Sequence, residues 1–210
     1  MSEWYARLVQ WTEIPQFLWV ILAMAALVVL VAMTQARRSK ALAQRLEILA
    51  RELGWTDVTF THFLTLAVQG TWNGYAAKVR RAPRQKSIPE RVITTLRVQA
   101  PARIWITRRQ RGLWSGRPFT MFGPPIVDLP LHQQFWIRAD EITLAERMMM
   151  SSAAAMLDRS LHGRYDLFRM GADQLLVQRA SEQDPDGVAR IAREELELAR
   201  AVVDALTLRP

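Results

Sequence analysis

The chain has 210 residues, with 28 Lys or Arg against 20 Asp or Glu, a formal net charge of +8 at pH 7 and no cysteine. The missing cysteine excludes disulfide staples, thiolate metal sites and a cysteine nucleophile. The length allows one domain with a substantial core beyond any membrane segment and is too short for two ordinary ones.

Residues 1–13 hold Trp4, Tyr5 and Trp11 and read as an interfacial lead-in rather than a domain. Pro15 suits the first turn of a helix. Phe17 to Met33 carries no charge and no hydrogen-bonding side chain apart from the Trp19 indole. Taken from Ile14 to Thr34 and wound as a helix, the run covers about 30 Å, the thickness of a bilayer's hydrocarbon core. We read residues 14–34 as one membrane span. A cleaved signal peptide needs a basic leader and a small-residue cleavage site, which Glu3, Arg7, Glu13 and Thr34-Gln35-Ala36 do not supply. Arg37, Arg38 and Lys40 follow the span at once, so the positive-inside rule places the N-terminus outside and the bulk of the chain in the cytoplasm. Those three cations are expected to meet the membrane surface. Ala25, Ala32 and Ala36 form a small-residue face that suits close approach of another helix, or else the alanines simply face lipid.

Leu42, Leu46, Leu49 and Leu53 recur at helical spacing between charged residues, so residues 35–54 are expected to form an amphipathic stalk stopped by Gly54. Nothing between Thr34 and Lys40 breaks a helix, so span and stalk form one rod. The leucine stripe serves as a dimer seam or packs on its own domain or on a neighbouring subunit; under two heptads, it is short for a coiled coil.

Residues 55–210 read as one cytosolic domain. Val58 to Val68 alternates with period two and is expected to be a strand. Gly70 and Asn73-Gly74 supply turn or bulge chemistry before a strand over Tyr75–Arg80. Further strands are expected at Arg91–Gln99, Ile104–Thr107, Phe119–Phe122 and Phe135–Arg138. Thr143 with Glu146 fits a capping box for a helix running to Leu161 and interrupted near Ser151-Ser152. Tyr165–Arg169 and Gln174–Gln178 read as a hairpin. Asp184 as N-cap and Pro185 at the first helical position start a last helix with Val188, Ile191, Leu198, Val202 and Leu206 on its apolar face. Strands interleaved with helices without regular βαβ alternation give an α+β domain on an antiparallel sheet.

Searching for chemistry returns little. The chain has no phosphate loop, dinucleotide fingerprint, H-E-x-x-H or nucleophile elbow. His62 sits on the apolar side of a strand, His132 in a Pro-flanked loop and His162 at a helix end, far apart in sequence. Carboxylates are sparse in the sheet region, with Asp128 and Asp140 its plausible catalytic acids, and an enzyme would require a pocket that collects His62 or His132 with Asp128. The run Met148-Met149-Met150 points in three directions on a helix and forms no chelate, so core packing is the expectation. With no histidine in the span, haem and chlorin ligation are disfavoured there. We therefore expect no catalytic, metal or cofactor site, and no enzyme.

Between Lys78 and Arg117 lie twelve Lys or Arg and one acid, Glu90, so this segment carries +11 and the rest of the chain −3. Arg80 and Arg81 end the strand before the Pro-containing loop Ala82–Glu90, which brings Arg84 and Lys86, and a second loop over Arg108–Arg117 brings Arg108, Arg109 and Arg111 with Trp114. These residues suit an anionic lipid surface, an acidic face of a membrane complex, or phosphates of a nucleic acid with Trp105 and Trp114 for stacking. The bland alternative is a set of solvated loops. A membrane tether favours lipid or protein over nucleic acid.

Gly70-Thr71-Trp72-Asn73-Gly74-Tyr75, with Gly123 through Asp128 to Phe135–Asp140, resembles a group of bacterial membrane-anchored proteins. In that group a G-x-[YW]-x-G element opens a β-rich domain and a Gly-Asp plus Phe-Asp segment precedes a strand and helix; here Gly123-Pro124 replaces the Gly-Asp. The resemblance covers about Val58 to Gln178 and implies an anchor-plus-domain layout in a bacterial inner membrane, with no activity attached. The expectation is a non-enzymatic accessory or scaffold subunit of a larger integral-membrane complex, of respiratory or photosynthetic kind. The rival is a tethered recognition module that binds anionic lipid or nucleic acid through its basic loops.

Overall fold

A computed structural model of the chain describes residues 3–61, 66–85, 88–108, 134–163, 166–181 and 184–208, with side chains from residue 17 onward. It divides into two compact units, Met1–Ala41 and Leu42–Pro210. Helix α1 runs from Glu3 to Glu52 without a break, the single rod expected of span and stalk. Its start corrects two expectations. Residues before the span are helical rather than a separate lead-in, and Pro15 lies inside the helix, where it leaves one backbone rung unmade.

The end of α1 is a Schellman motif. Gly54 has φ +67°, its N–H donates to the Arg51 carbonyl at 3.0 Å, and the Trp55 N–H donates to the Ala50 carbonyl at 2.9 Å. Leu42, Leu46, Leu49 and Ala50 are buried in the core of the second unit and Leu53 packs against it. That unit therefore begins inside the helix, at Leu42 rather than at Trp55. The leucine stripe faces its own domain, which leaves it unavailable as a seam between two copies.

The second unit is α+β. Its eight described strands are β1 (Thr56–Thr61), β2 (Ala67–Trp72), β3 (Tyr75–Ala82), β4 (Arg91–Arg97), β5 (Ile104–Arg108), β6 (Phe135–Ala139), β7 (Leu167–Met170) and β8 (Gln174–Ala180). They form one antiparallel sheet in the order β1-β2-β3-β4-β8-β7-β5-β6. The expected strand over Val58–Val68 is instead two strands paired with each other, Phe60 opposite Val68. The expected strand at Phe119–Phe122 lies outside the described residues.

Asn73 (φ +50°) and Gly74 (φ +83°) form the two-residue turn between β2 and β3, with both central residues left-handed as a type I′ hairpin requires. Gly70 has a different task. The β1–β2 register shifts between Thr56 and Thr59, and a Cβ on Gly70 would stand 2.7 Å from the Thr56 carbonyl and 3.2 Å from Trp55 Cε3. Gly70→Val is expected to destabilise the domain by about 1–3 kcal/mol, read as a lower urea midpoint. An unchanged midpoint would mean that β1 does not press on β2 there.

Helices α2 (Ile142–Met149), α3 (Ser152–Ser160) and α4 (Pro185–Leu206) complete the unit. Asp184 caps α4 through the Gly187 N–H at 2.5 Å, with Pro185 following as expected. Ser151 caps α3 by accepting from the Ala153 N–H, which ends α2 where the interruption was expected. The capping box on Thr143 is absent. Glu141 holds the N-cap position, and the Thr143 hydroxyl donates to its carboxylate at 2.8 Å. In α2, Met148 and Met149 are buried and Met150 is exposed, so the methionine run is largely core filling.

The register explains where the core lies. Phe60, Val68, Val79, Thr94, Val177, Phe168, Ile106 and Ile137 line up across all eight strands, and seven of the eight are apolar. Helix α4 covers this face, since the Thr94 hydroxyl donates to Glu195 Oε2 at 2.5 Å. Asp166, also buried, accepts from the N–H groups of His162, Gly163 and Ala180 and ties the turn after α3 to β8.

Candidate interaction surface

Strands alternate, so every inward residue fixes an outward neighbour. The row next to the core row reads Thr59, Gln69, Lys78, Thr95, Leu176, Arg169, Trp105 and Arg138. Arg80, Arg91 and Arg97 occupy further outward positions, and Trp136 stands beside Arg138 on β6. Six cations thus share the face, while β2 through β8 contain no acid at all.

The contrast with the helical side is in the pairing. There Arg45 meets Asp186 at 2.7 Å, Arg193 meets Glu52, Arg179 meets Glu194 and Arg200 meets Asp204 at 3.7 Å. On the outward face Lys78, Arg80, Arg97 and Arg169 are exposed and make no ion pair among the described residues. Arg91 donates to the Gln178 side-chain amide oxygen Oε1 at 3.4 Å. The Arg169 guanidinium lies 5.4 Å from the Trp105 ring centroid, close enough for cation–π attraction.

The face is not uniform. Around Trp105, Arg103, Arg138 and Arg169 border a recess of about 20 Å³, room for about one water. Arg103 pairs there with Asp140 at 2.7 Å, and that hydrogen bond holds the exposed Asp140 carboxyl below its usual range. At the other end a groove of about 480 Å³ is lined by Lys78 and Arg97 together with Asp57, Asp173, Thr59, Gln69 and Gln174. Its charge is mixed.

The residues expected to meet a partner are therefore only partly on one surface. Arg80 is outward and exposed, and Arg84 is exposed in the loop after β3. Arg81 points inward and is held by Glu90, and Arg108 donates to the Leu161 carbonyl at 2.7 Å, with His162 Nδ1 at 3.1 Å. Both guanidinium groups are half-buried and already engaged within the domain. Arg37, Arg38 and Lys40 are exposed on α1, in the first unit, as are Ala25 and Ala32. Lys86, Arg109, Arg111 and Trp114 lie outside the described residues, as do His62, Asp128 and His132.

Lys78, Arg91, Arg97, Arg138 and Arg169 were absent from the sequence-based site. A signal for them existed, since each stands one position from an apolar residue in an alternating run.

Among the described residues, no group of three or more His, Asp or Glu is placed to hold a metal ion. Among the described residues the one strongly perturbed acid is Glu195, fully buried, with Thr94 as its hydrogen-bond donor and no partner on Oε1. Burial pushes its carboxyl up to about 8, which leaves it protonated and neutral at pH 7.

No protein-family model matches the chain, and no curated protein matches it. Among solved structures, the crystal structure of the mycobacterial trehalose monomycolate transport factor A, TtfA, aligns with a TM-score of 0.47 at 14% identity, over 80% of this chain and 98% of that one.

Proposed function

We propose that this protein is a non-enzymatic, membrane-anchored accessory or scaffold subunit whose α+β domain docks on a larger integral-membrane complex. The supporting observation is the apolar stretch of α1. From Phe17 to Met33 its large side chains are exposed along the whole run, Trp19 at 71% and Val28 at 64%. The helix is long and apolar enough to cross a membrane, and none of that window is buried by the rest of the chain. Leaving more than ten such side chains in water would cost on the order of 20 kcal/mol, more than a domain's whole net stability. Lipid is the solvent that removes this cost.

With Arg37, Arg38 and Lys40 on the cytoplasmic side, the domain is cytoplasmic, and Ala25 and Ala32 offer the face for a neighbouring helix. Two measurements test the proposal. The full chain should stay with membranes through an alkaline carbonate wash, and in mild detergent it should co-purify with integral-membrane subunits in fixed stoichiometry. Ala25→Leu with Ala32→Leu should weaken that association. A chain stripped by carbonate, or one that elutes alone, would overturn the assignment.

A further inference from the structure

We propose that the outward face of the sheet docks on an anionic lipid surface through Lys78, Arg80 and Arg169, with Trp105 and Trp136 at the contact level; this rests on the membrane anchoring proposed above. Charge complementarity sets the chemistry. Strands β2 to β8 hold no acid, and these three exposed cations have no counter-ion among the described residues. Along the row, Lys78 and Arg169 are separated by β4 and β8, so their strands stand about 14 Å apart. Cations dispersed at that spacing match a field of separate headgroups, each cation near the surface adding its own attraction.

The two indoles favour lipid over the other anionic partners. Trp105 and Trp136 are half-buried, Trp105 between Arg138 and Arg169 and Trp136 two positions from Arg138 along β6, so apolar ring surface lies among the cations, as it does where tryptophan meets a membrane–water boundary. A stacking platform for nucleic-acid bases requires open ring faces, and Arg169 already lies over one. The groove at Lys78 and Arg97 suits an acidic protein anchor poorly, since Asp57 and Asp173 offset its charge. The covalent tether does the rest. The second unit begins nine residues after Met33, so the domain stays near whatever bilayer holds the span, at high effective concentration.

The absence of cysteine gives a direct test. Single-cysteine chains are made at Ala76, exposed and outward on β3, and at Ala155, exposed on α3. Each full-length chain carries an environment-sensitive fluorophore and is reconstituted into nanodiscs with headgroup spin labels, of phosphatidylcholine alone or with roughly 30% phosphatidylglycerol. Quenching at Ala76→Cys is expected to rise with phosphatidylglycerol and to vanish in about 1 M NaCl, where the screening length is about 3 Å. Lys78→Gln/Arg80→Gln/Arg169→Gln should lower the docked-to-free ratio about a hundredfold, whereas Arg147→Gln/Arg159→Gln/Arg200→Gln, with the same loss of charge on the helical side, should leave it unchanged.

Equal quenching at Ala76 in both lipid mixtures, equal response at Ala155, or equal effects of the two triple variants would overturn the proposal. So would protection of Ala76 by an added oligonucleotide or acidic peptide but not by phosphatidylglycerol. A chain that fails to enter the nanodiscs sinks the anchoring itself, and a chain that enters without lipid-dependent quenching sinks the docking alone.

Discussion

A chain shortened to begin at Trp55 is expected to lose cooperative unfolding, while one that begins at Lys40 keeps it. The difference is the last three turns of α1. Leu42, Leu46 and Leu49 are 2%, 1% and 5% exposed, so they belong to the core of the domain. A single buried Leu→Ala change costs about 2–5 kcal/mol, and removing three such residues outright approaches or exceeds the 5–15 kcal/mol by which domains are stable. The ion pairs Arg45–Asp186 and Arg193–Glu52 on the rim are half-exposed and add little. Urea titrations followed by near-UV circular dichroism check this. Leu46→Ala should lose about 2–5 kcal/mol, and Ile48→Ala, at an exposed position of the same helix, under about 1 kcal/mol. A cooperative transition from the Trp55 chain would remove the leucines from the core.

The second large effect is expected from pH. Glu195 is fully buried beneath α4 against Thr94, with Arg179, Glu194 and Asp166 as the charged groups nearby, and desolvation raises its carboxyl from 4.5 to about 8. The unfolded chain releases this proton near pH 4.5 while the folded chain keeps it to about 8. Stability from this group is therefore full below about pH 4.5, declines as pH rises, and is lost above about 8. A shift of this size corresponds to about 3–5 kcal/mol across the window. Glu195→Gln keeps the shape and the Thr94 bond and removes the charge, so its urea midpoint should be flat between pH 5 and 8 where the wild type falls. Parallel slopes for the two proteins would mean that Glu195 does not titrate in the core.

Much of this architecture is legible in the residues. Asp184-Pro185 begins α4, Gly54 ends α1 and Asn73-Gly74 turns β2 into β3, because each requires a backbone geometry or a cap that few residue types supply. The hairpin of β1 and β2 was hidden for a definable reason. Phe60 pairs with Val68, two positions of the same parity, so the period-two pattern passes through the reversal without a break and mimics one strand.

Charge misled in another way. Counting cations along Lys78–Arg117 directs attention to loops, whereas strand parity sends Lys78 and Arg80 outward and Arg81 inward to Glu90. Glu195 left a faint mark, since it fills the gap between Ile191 and Leu198 on a helix face that is otherwise apolar. Its partner Thr94 is far away in sequence, and only the fold brings the two together.

The strand order also governs how the domain can assemble. At the middle of the sheet β4 lies against β8, and Thr94 is opposite Val177, 83 positions further along the chain. A growing polypeptide can zip the four-strand meander early, yet β4 keeps a bare hydrogen-bonding edge until Gln174–Ala180 has been made. Ring closure over so long a stretch is slow, so the nascent chain spends that interval with this edge unguarded while the apolar run of α1 has already been made.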